Sequence, residues 1–402
     1  MSAEVAQAGA FKGIRVLDLT RVLSGPYCTM MLADQGAEVI KVEIPGRGDD
    51  SRHVGPPFQE GESAFFVSIN RNKKSITLNL KSEQGVEVLR KLAASSDVLV
   101  ENYRPGVAER LGIDYESLRE VNPDLIYCSI SGFGQTGPYR DRPGYNMTVQ
   151  ALGGVMTVSG EPGCEPFPVG ISLGDIPAGM FAAFAISAAL LQRATTGQGQ
   201  HIDIGMLDCL VAMMEYPLAR FGMTGQCPPA IGRHNPAITP FGVMNTADIP
   251  IVIAVGNDKL WRLLCEAMDR QDLLLDPKYE TNPLRTENRV ELYAKLTETL
   301  MERTSEEWLG ILVAAGIPAA PVNTIEEVFH DPHVRARGMV QQVSQPKAGD
   351  IAIAGTPVKM NGTGAAETTP APQLGEHSRT VLRECLDMTD EAIDVLTELG
   401  VI

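Results

Sequence analysis

Residues 14–43 have the sequence IRVLDLTRVLSGPYCTMMLADQGAEVIKVE, and the fold class follows from this stretch. Two short apolar runs, Ile14–Leu19 and Ala37–Glu43, are typical of buried strands. Between them a Ser-Gly-Pro break precedes a helix pattern over Tyr27–Gln35, and Gly36 is placed to end that helix. A strand, a helix and a second strand in this order form a βαβ unit, which predicts a parallel sheet.

The same alternation continues along the chain. Strand patterns occupy residues 75–80, 97–102, 125–130 and 201–204, and helix patterns lie between several of them. We therefore predict an α/β protein with a parallel central sheet. No Gly-x-Gly-x-x-Gly motif follows the first strand, so the sequence does not predict a nicotinamide or flavin site.

Changes in composition predict the domain boundaries. Residues 1–10 have the composition of a disordered tail, and residues 11–221 form the first part of a large domain. The segment that follows is rich in proline, glycine and asparagine and begins a smaller α/β domain over residues 222–330. Residues 331–402 contain a predicted β-hairpin and C-terminal helices.

Composition excludes several classes of function. The net charge of −16 makes non-specific binding to nucleic acid unfavourable. Seven scattered cysteines without a Cys-x-x-Cys pair indicate neither a disulfide framework nor a structural metal site, and they fit a reducing compartment. Polar residues interrupt the apolar runs well short of the roughly 20 residues that a membrane span needs. We therefore expect a cytoplasmic protein without a metal site that does not associate with membranes.

A single acid, Asp175, lies next to a glycine at the start of a long apolar helix pattern. Aspartate is a preferred N-cap, because its carboxylate accepts hydrogen bonds from the first amides of a helix. The local pattern therefore predicts an ionised Asp175 that caps a buried helix. Capping is the common role of an aspartate in this position, and a chemical role needs support from elsewhere in the chain.

A second candidate segment is Asn102–Gly112, which follows the predicted strand at 97–102. It gathers two arginines, an amide and a tyrosine ring within a few residues. Ligands bind at the carboxyl ends of strands in open α/β sheets. Arginine suits phosphate groups and an aromatic face suits a purine, so this segment is a candidate site for a nucleotide-like ligand.

The chain as a whole resembles the family III CoA-transferases, which include the formyl-CoA and carnitine-CoA transferases and the α-methylacyl-CoA racemases. The matching stretches occur in the family's order over most of the chain. They are Gly13–Asp18, Leu23–Pro26, Gly36–Glu43, Asn70–Leu80, Val100–Gly112, Gly174–Asp175, Gly197–Gln200, Gly232–Asn235, Gly316–Asn323 and Leu374–His377.

This resemblance implies a Rossmann-like large domain to which residues 331–402 return, with a smaller domain inserted between its parts. It also implies an interlocked homodimer and no tightly bound cofactor, with coenzyme A as a co-substrate. The family's nucleophile matches Asp175, which would form an aspartyl-CoA thioester while CoA moves from an acyl-CoA to a free carboxylic acid. The family's CoA contacts match Leu23, Ser24, Leu78, Lys81, Asn102, Tyr103, Arg104, Arg110 and Tyr145.

At several positions this chain differs from individual branches of the family, and these differences reduce the number of activities to consider. The racemase branch carries a histidine where this chain has Tyr145, and a tyrosine with a pKa near 10 is a poor base at neutral pH. The formyl-CoA branch carries a glutamine where Leu23 stands and a run of glycines near Gly256. The 2-methylacyl-CoA epimerases and a non-catalytic CoA-binding protein remain the alternatives.

Over Leu17–Tyr139 the sequence is most similar to the branch that transfers CoA from succinyl-CoA to dicarboxylic acids such as glutarate. A dicarboxylic acceptor needs a cationic partner for its distal carboxylate. The sequence offers Arg52, Arg104 and Arg233 for this purpose.

Overall fold

The computed structural model describes residues 9–402, and a six-stranded parallel sheet organises the larger of its two units. Of the described residues, this unit comprises 9–153 together with Gly170–Glu215 and Pro332–Ile402. The second unit comprises Gly154–Val169 and Tyr216–Asp331. The predicted N-terminal tail lies outside the described residues except for its last two positions.

The strands of the protein are short and form four sheets. The strands are β1 (Arg15–Asp18), β2 (Glu38–Glu43), β3 (Phe58–Gln59), β4 (Glu62–Ser63), β5 (Lys73–Thr77), β6 (Val98–Glu101), β7 (Ile126–Ser131), β8 (Gln200–Gly205), β9 (Phe241–Met244), β10 (Ile251–Ala254), β11 (Ala319–Pro321), β12 (Val340–Gln345) and β13 (Gly349–Ala354).

Helices connect and cover these strands. They are α1 (Ser24–Asp34), α2 (Ala64–Ile69), α3 (Glu83–Ala94), α4 (Val107–Leu111), α5 (Tyr115–Arg119), α6 (Asn146–Leu152), α7 (Val155–Val158), α8 (Ile176–Thr196), α9 (Met206–Met213), α10 (Glu215–Thr224), α11 (Asp258–Ala267), α12 (Gln271–Leu275), α13 (Asn282–Glu287), α14 (Arg289–Leu300), α15 (Ser305–Ala314), α16 (Ile325–His330), α17 (Pro332–Ala336), α18 (Ser378–Leu386) and α19 (Asp390–Glu398).

The central sheet has the strand order β5-β2-β1-β6-β7-β8, and all of its pairings are parallel. This confirms the α/β class predicted from residues 14–43. Leu17 of β1 lies beside Ile40 of β2 and Leu99 of β6, and all three side chains are fully buried. The chain leaves β1 towards β2 on one side and later places β6 on the other, so the order reverses between β1 and β6. Such a reversal opens a crevice at the carboxyl ends of the strands.

Helix α8 packs against α1 and the sheet strands β7 and β8. A Cβ atom on Gly179 would lie 2.6 Å from the Ser24 carbonyl oxygen, so only glycine permits the first turns of α8 and α1 to approach this closely. By length and composition alone α8 could span a bilayer. Its buried face, which includes Ala182 and Ile186, instead contacts the protein interior, as expected of a core helix.

The second unit contains the antiparallel sheet β11-β10-β9 and has an apolar core of its own. Trp261 and Leu264 of α11 and Leu292 of α14 are buried in that core. Residues 154–169, which the sequence analysis assigned to the large domain, belong to this unit. The reason is main-chain pairing: the amides of Ile231 and Gly232 donate to the carbonyls of Val158 and Gly160.

Two sequence predictions within 131–219 were wrong in detail. The apolar pattern of residues 206–219 predicts a single helix, but the structure has α9 and α10, which meet at Met214. Pro217 lacks an amide hydrogen and cannot donate to the Met213 carbonyl, so a continuous helix is disfavoured there. The stretch 131–174 is rich in glycine and lacks a strong period, which predicts irregular structure, yet it contains α6 and α7.

Candidate active site

The loops that follow β1, β6 and β7 meet around a cavity of about 150 Å³ in the sheet unit. They leave the carboxyl ends of adjacent strands, where the strand order reverses. The residues around this cavity are Arg21, Val22, Leu23, Ser24, Asp50, Asn102, Tyr103, Arg104, Pro105, Ile130, Ser131, Gly132, Arg140, Arg142, Pro143, Gly144, Tyr145, Asp175 and Met206. Seven of the ten predicted site residues are among them.

The Asp175 side chain does not cap α8, so the capping prediction was wrong. The Asp175 backbone already has the helical φ of −94° and ψ of −52°, and its carboxylate accepts no cap hydrogen bond. Pro177, in the first turn, has no amide hydrogen to offer. The carboxylate is therefore left for another purpose.

Burial raises the pKa of Asp175 to about 6. Desolvation is the cause, because transfer out of water disfavours the charged form of a carboxyl group. Among the described residues, no side chain forms a hydrogen bond or an ion pair with this carboxylate. At neutral pH the group is still largely ionised, but it is poorly solvated and therefore more reactive than a surface carboxylate.

Helix α6 holds the segment that carries Asp175. The amide of Gly174 donates to Asn146 Oδ1 at 2.9 Å, and Gln150 Nε2 donates to the same oxygen at 2.9 Å. A Cβ atom on Gly174 would lie 2.9 Å from Asn146 Cα, so the close approach requires glycine. Sequence reasoning missed both Asn146 and Gln150, because Asn146 binds Gly174 across 28 positions and nothing local marks such a contact.

Two further cavities of the same unit form a series with the first, each sharing residues with the one before it. The second, of about 580 Å³, shares Arg21 and Tyr103 with the first and also has Leu78 in its wall. The third shares Lys81 with the second and is lined by Arg110. All ten predicted site residues therefore line one of three adjoining cavities. Lys81 and Arg110, the basic residues that the family resemblance offers for the CoA phosphates, do not line the cavity that contains Asp175.

The first cavity contains four arginines. Arg21 is 3.5 Å from Asp50, and Arg140 is 3.9 Å from Glu109. Neither Arg104 nor Arg142 forms an ion pair within residues 9–402, and the Arg142 guanidinium lies 3.7 Å from the centre of the Tyr139 ring. Unpaired guanidinium groups in an acidic protein indicate a site for an anion.

Sequence reasoning missed Arg21, Arg140 and Arg142. The segment Tyr139–Arg142 has the arginines and the aromatic ring that singled out Asn102–Gly112, and the same argument would have found it.

Arg52 does not have the role proposed for it from the sequence. Its Nε and Nη2 donate to the two oxygens of the Glu43 carboxylate, at 2.7 and 2.6 Å, and its guanidinium packs on the Phe66 ring. Arg233 belongs to the second unit and donates to Asn245 Oδ1. Of the three arginines expected to bind a distal carboxylate, Arg104 is the one that lines the first cavity.

The Asn102 side chain uses both of its polar atoms on the main chain of Arg21. Its Oδ1 accepts from the Arg21 amide at 2.8 Å, and its Nδ2 donates to the Arg21 carbonyl at 2.7 Å. Asn102 thus joins the loop after β6 to the loop after β1.

Histidine is not found among the residues that line the first cavity. Across residues 9–402, no three His, Cys, Asp or Glu side chains are grouped closely enough to hold a metal ion. The acid-base pair of a racemase, an aspartate and a histidine, therefore has no counterpart around this cavity.

Comparison with known proteins agrees with this geometry. The family model described as CoA-transferase family III matches residues 11–378. The succinyl-CoA:glutarate CoA-transferase of Mus musculus is 41% identical over 391 residues, which cover 97% of this chain and 90% of that protein. The succinate–glutarate CoA-transferase of Agrobacterium fabrum is 41% identical over 92% of this chain and 94% of that protein. The crystal structure of a CAIB/BAIF family protein from Brucella suis superposes with a TM-score of 0.84 at 38% identity, covering 94% of this chain and all of that one.

Proposed function

Because this chain belongs to CoA-transferase family III, we propose that it transfers CoA from succinyl-CoA to a dicarboxylic acid through a covalent intermediate on Asp175. Transfer of CoA between an acyl-CoA and a carboxylic acid follows from the family and from its named relatives. The identity of the two acids and the role of Asp175 are the proposal. The Mus musculus relative is named for succinyl-CoA and glutarate, and the Agrobacterium fabrum relative for succinate and glutarate, so succinyl-CoA and glutarate are the first pair to assay.

The proposed reaction begins when an Asp175 carboxylate oxygen attacks the thioester carbonyl of the donor. The carbon–sulfur bond breaks, which gives a mixed anhydride and CoA thiolate. The thiolate then attacks the Asp175 carbonyl carbon and releases the donor acid as its carboxylate, leaving an aspartyl-CoA thioester. The acceptor carboxylate attacks the aspartyl thioester and displaces CoA thiolate, which gives a second mixed anhydride. The thiolate then attacks the acceptor's carbonyl carbon, which forms acceptor-CoA and frees the Asp175 carboxylate. No net proton is taken up or released, and the energy of the thioester is kept throughout.

The observation that carries this proposal is the state of the Asp175 carboxylate. It lines the cavity, has no side-chain partner among the described residues, and has a pKa raised to about 6 by desolvation. A carboxylate becomes a useful nucleophile when it is desolvated and held against its target. A purely structural aspartate would normally be capped, paired or exposed.

The acceptor class follows from the charge of the cavity. One carboxylate of a dicarboxylic acid attacks the intermediate, and the other needs a fixed cation. We propose that Arg142 and Arg104 supply it, since both line the cavity and neither is paired with an acid among residues 9–402. A planar guanidinium binds a carboxylate through two parallel hydrogen bonds, which makes it selective for such a group.

We propose that CoA extends from Asp175 along the three adjoining cavities. Its thioester would lie in the first cavity, its middle would pass Tyr103 and Leu78, and its phosphates would reach Lys81 and Arg110. Because neighbouring cavities share lining residues, a single elongated ligand fits them better than three separate small ligands.

The direct test combines a variant with a trap. Asp175→Ala should abolish exchange of CoA between succinyl-CoA and glutarate while the far-ultraviolet circular dichroism spectrum remains that of the wild type. Hydroxylamine with succinyl-CoA should convert Asp175 of the wild type to a hydroxamate, detectable by peptide mass spectrometry. Retained activity in the variant, or an unmodified Asp175 in an active wild type, would refute the nucleophile.

The same preparation distinguishes the alternatives. An epimerase would incorporate deuterium at the α-carbon of a 2-methylacyl-CoA in deuterated water without any acceptor acid. A CoA-binding protein without activity would bind CoA but exchange it with none of a panel of carboxylic acids. Either result would replace the proposal made here.

We also propose that the protein is an interlocked homodimer. Helix α8 exposes large apolar side chains to solvent, including Met180, Phe184 and Leu191, and α9 adds Met213. Phe184 and Leu191 are each 73% exposed, which is unusual for such residues on a monomer's surface. A second copy of the chain is the partner that the family resemblance supplies.

A further inference from the structure

Val22 has a backbone conformation that valine rarely adopts. Its φ is +67°, in the left-handed region, where the branched side chain is crowded by its own main chain. The residue lies in the wall of the first cavity, between β1 and the start of α1. Such strain persists only where surrounding contacts enforce it, and it is concentrated at functional sites.

Asn102 supplies one of those contacts. Its amide group binds both the N–H and the C=O of Arg21, the residue before Val22, at 2.8 and 2.7 Å. The N–H and the C=O of Arg21 belong to the two peptide units on either side of its Cα atom, and the second of these units ends at the Val22 nitrogen. Because Asn102 binds both units, the main chain that leads into Val22 cannot rotate freely. Both polar atoms of Asn102 are used in this way, and the side chain acts on the site through the main chain of Arg21.

Asp49 supplies the other contact, from a separate loop. Its Oδ1 accepts from the Val22 amide at 3.0 Å, and its carboxylate forms an ion pair with Lys41 at 2.8 Å. Asp49 is 1% exposed and Lys41 is fully buried. Lys41 Nζ also donates to the Thr20 carbonyl at 2.9 Å. The main chain from Thr20 to Val22 is therefore held by three buried or half-buried side chains.

We propose that Asn102 is a positioning residue, which holds Val22 in its strained conformation and thereby fixes the main chain of Val22–Ser24 in the wall of the cavity that contains Asp175. The proposal depends on the function assigned above, because it concerns the geometry of that reaction. It differs from direct contact between Asn102 and CoA, the role that the family resemblance implied.

The test exploits the one residue type that adopts a φ of +67° without strain. Glycine at position 22 has no side chain to crowd, so it needs no clamp to stay in the left-handed region. Asn102→Ala should lower kcat by about tenfold or more in the wild type, since two hydrogen bonds are lost. In a Val22→Gly background the same substitution should lower kcat by less than about threefold, because glycine keeps the positive φ at position 22 without being held there by Asn102.

Equal losses of kcat in the two backgrounds would overturn the proposal. So would a rise in KM for the acyl-CoA of equal size in both backgrounds, because that pattern indicates direct contact with CoA. Asn102→Asp provides a second variant: it keeps the oxygen that accepts from the Arg21 amide, but it places a carboxylate oxygen against the Arg21 carbonyl where the donor was. Because two acceptors then face each other, this variant should lose at least as much kcat as Asn102→Ala, and an unchanged kcat would contradict the proposal.

Asn122→Ala is the matched control. Asn122 also donates to two main-chain carbonyls, those of Ala93 and Ser96, at 2.9 and 2.8 Å, but it lines none of the three cavities. This variant should lower the melting temperature and leave kcat unchanged. Titration calorimetry with free CoA separates failure of the clamp from failure of the proposed function, since CoA affinity can be compared between variants even if no acid is exchanged.

Discussion

Desolvation makes the Asp175 carboxyl group both reactive and costly to the fold. The folded protein binds the Asp175 proton more tightly than the unfolded chain does, because burial raises the pKa from 3.8 to about 6. Stability is therefore lost as the pH rises from about 4 to about 6, and the loss is complete above that range. This change of stability with pH is opposite in sign to that caused by an aspartate in a salt bridge, which stabilises the protein more as the pH rises.

Asp175→Asn should consequently be more stable than the wild type at neutral pH. We expect an increase in the free energy of unfolding of about 2 to 3 kcal/mol near pH 7.5, which shrinks to nothing below about pH 4. Thermal or urea unfolding at several pH values measures it. A variant less stable than the wild type at pH 7.5 would contradict the assigned desolvation.

The same titration predicts the pH dependence of catalysis. The nucleophile is the ionised form of Asp175, so kcat/KM should fall as the pH drops through about 6. Initial rates of CoA exchange, measured at intervals of about one pH unit between pH 5 and 8, give this profile. A flat profile across that range would exclude Asp175 as the titrating group.

Arg142 should discriminate between acceptors. Arg142→Gln should raise the KM for a dicarboxylic acceptor by about tenfold to a hundredfold, because a charge-assisted hydrogen-bonded pair is lost. The KM for a monocarboxylic acid of similar length should change little. Arg119→Gln is the control, since Arg119 also lies over a tyrosine ring but lines none of the three cavities. Equal effects on both classes of acceptor would contradict the assignment.

Individual residues show where sequence reasoning succeeds and where it stops. Asp175 was found because an acid beside a glycine at the start of an apolar helix is a local pattern. Its capping role was wrongly predicted, because capping depends on the backbone angles at Asp175, which no pattern reports. Asn102 was found as a site residue, but its partner Arg21 lies 81 positions away and was missed.

The first turns of α1 and α8 approach each other at Gly179. The distance between these helices matters to the site, because α1 begins at Ser24 and α8 begins directly after Asp175. A Cβ atom at position 179 would meet main-chain atoms of α1, which cannot turn aside as a flexible side chain can. Gly179→Ala should therefore destabilise the protein by about 1 to 3 kcal/mol.

Gly310→Ala is the matched control for this prediction. Gly310 also lies inside a helix, α15, but a Cβ atom there would meet nothing within 4 Å. Alanine at this position should stabilise the protein by about 0.5 to 1 kcal/mol, as in any exposed helix interior. Urea unfolding of both variants gives the comparison, and a neutral Gly179→Ala would show that the two helices can separate freely.

Strands and helices of the sheet unit were predictable because burial imposes a clear period on them. The helical spacing of the apolar residues predicts a helix over residues 83–94, which are the bounds that the structure gives α3. The short helices α6 and α7 were missed because they carry too few turns to show a period. Their positions depend on contacts such as that between Asn146 and Gly174.

An interlocked homodimer makes a prediction that an ordinary dimer does not. Light scattering should give twice the mass of one chain. Two differently tagged preparations, mixed under native conditions, should form no mixed dimers over hours, because threaded rings exchange subunits only after unfolding. Mixed dimers should appear after joint denaturation and refolding. A single-chain mass would contradict the dimer, and rapid exchange under native conditions would contradict the interlocking.

The discontinuity of the sheet unit has a consequence for how the protein is made. The Ser75 carbonyl accepts from the His377 amide, and the Asn79 amide donates to the Val401 carbonyl, across 302 and 322 positions of chain. A ribosome that has released β5 must therefore synthesise some three hundred further residues before that strand meets its last partners. The second unit ends at Asp331, so all of its residues are synthesised earlier. We expect nascent chains paused near residue 370 to protect the second unit from proteolysis while the sheet unit is still open, a state in which chaperones would find its exposed strands.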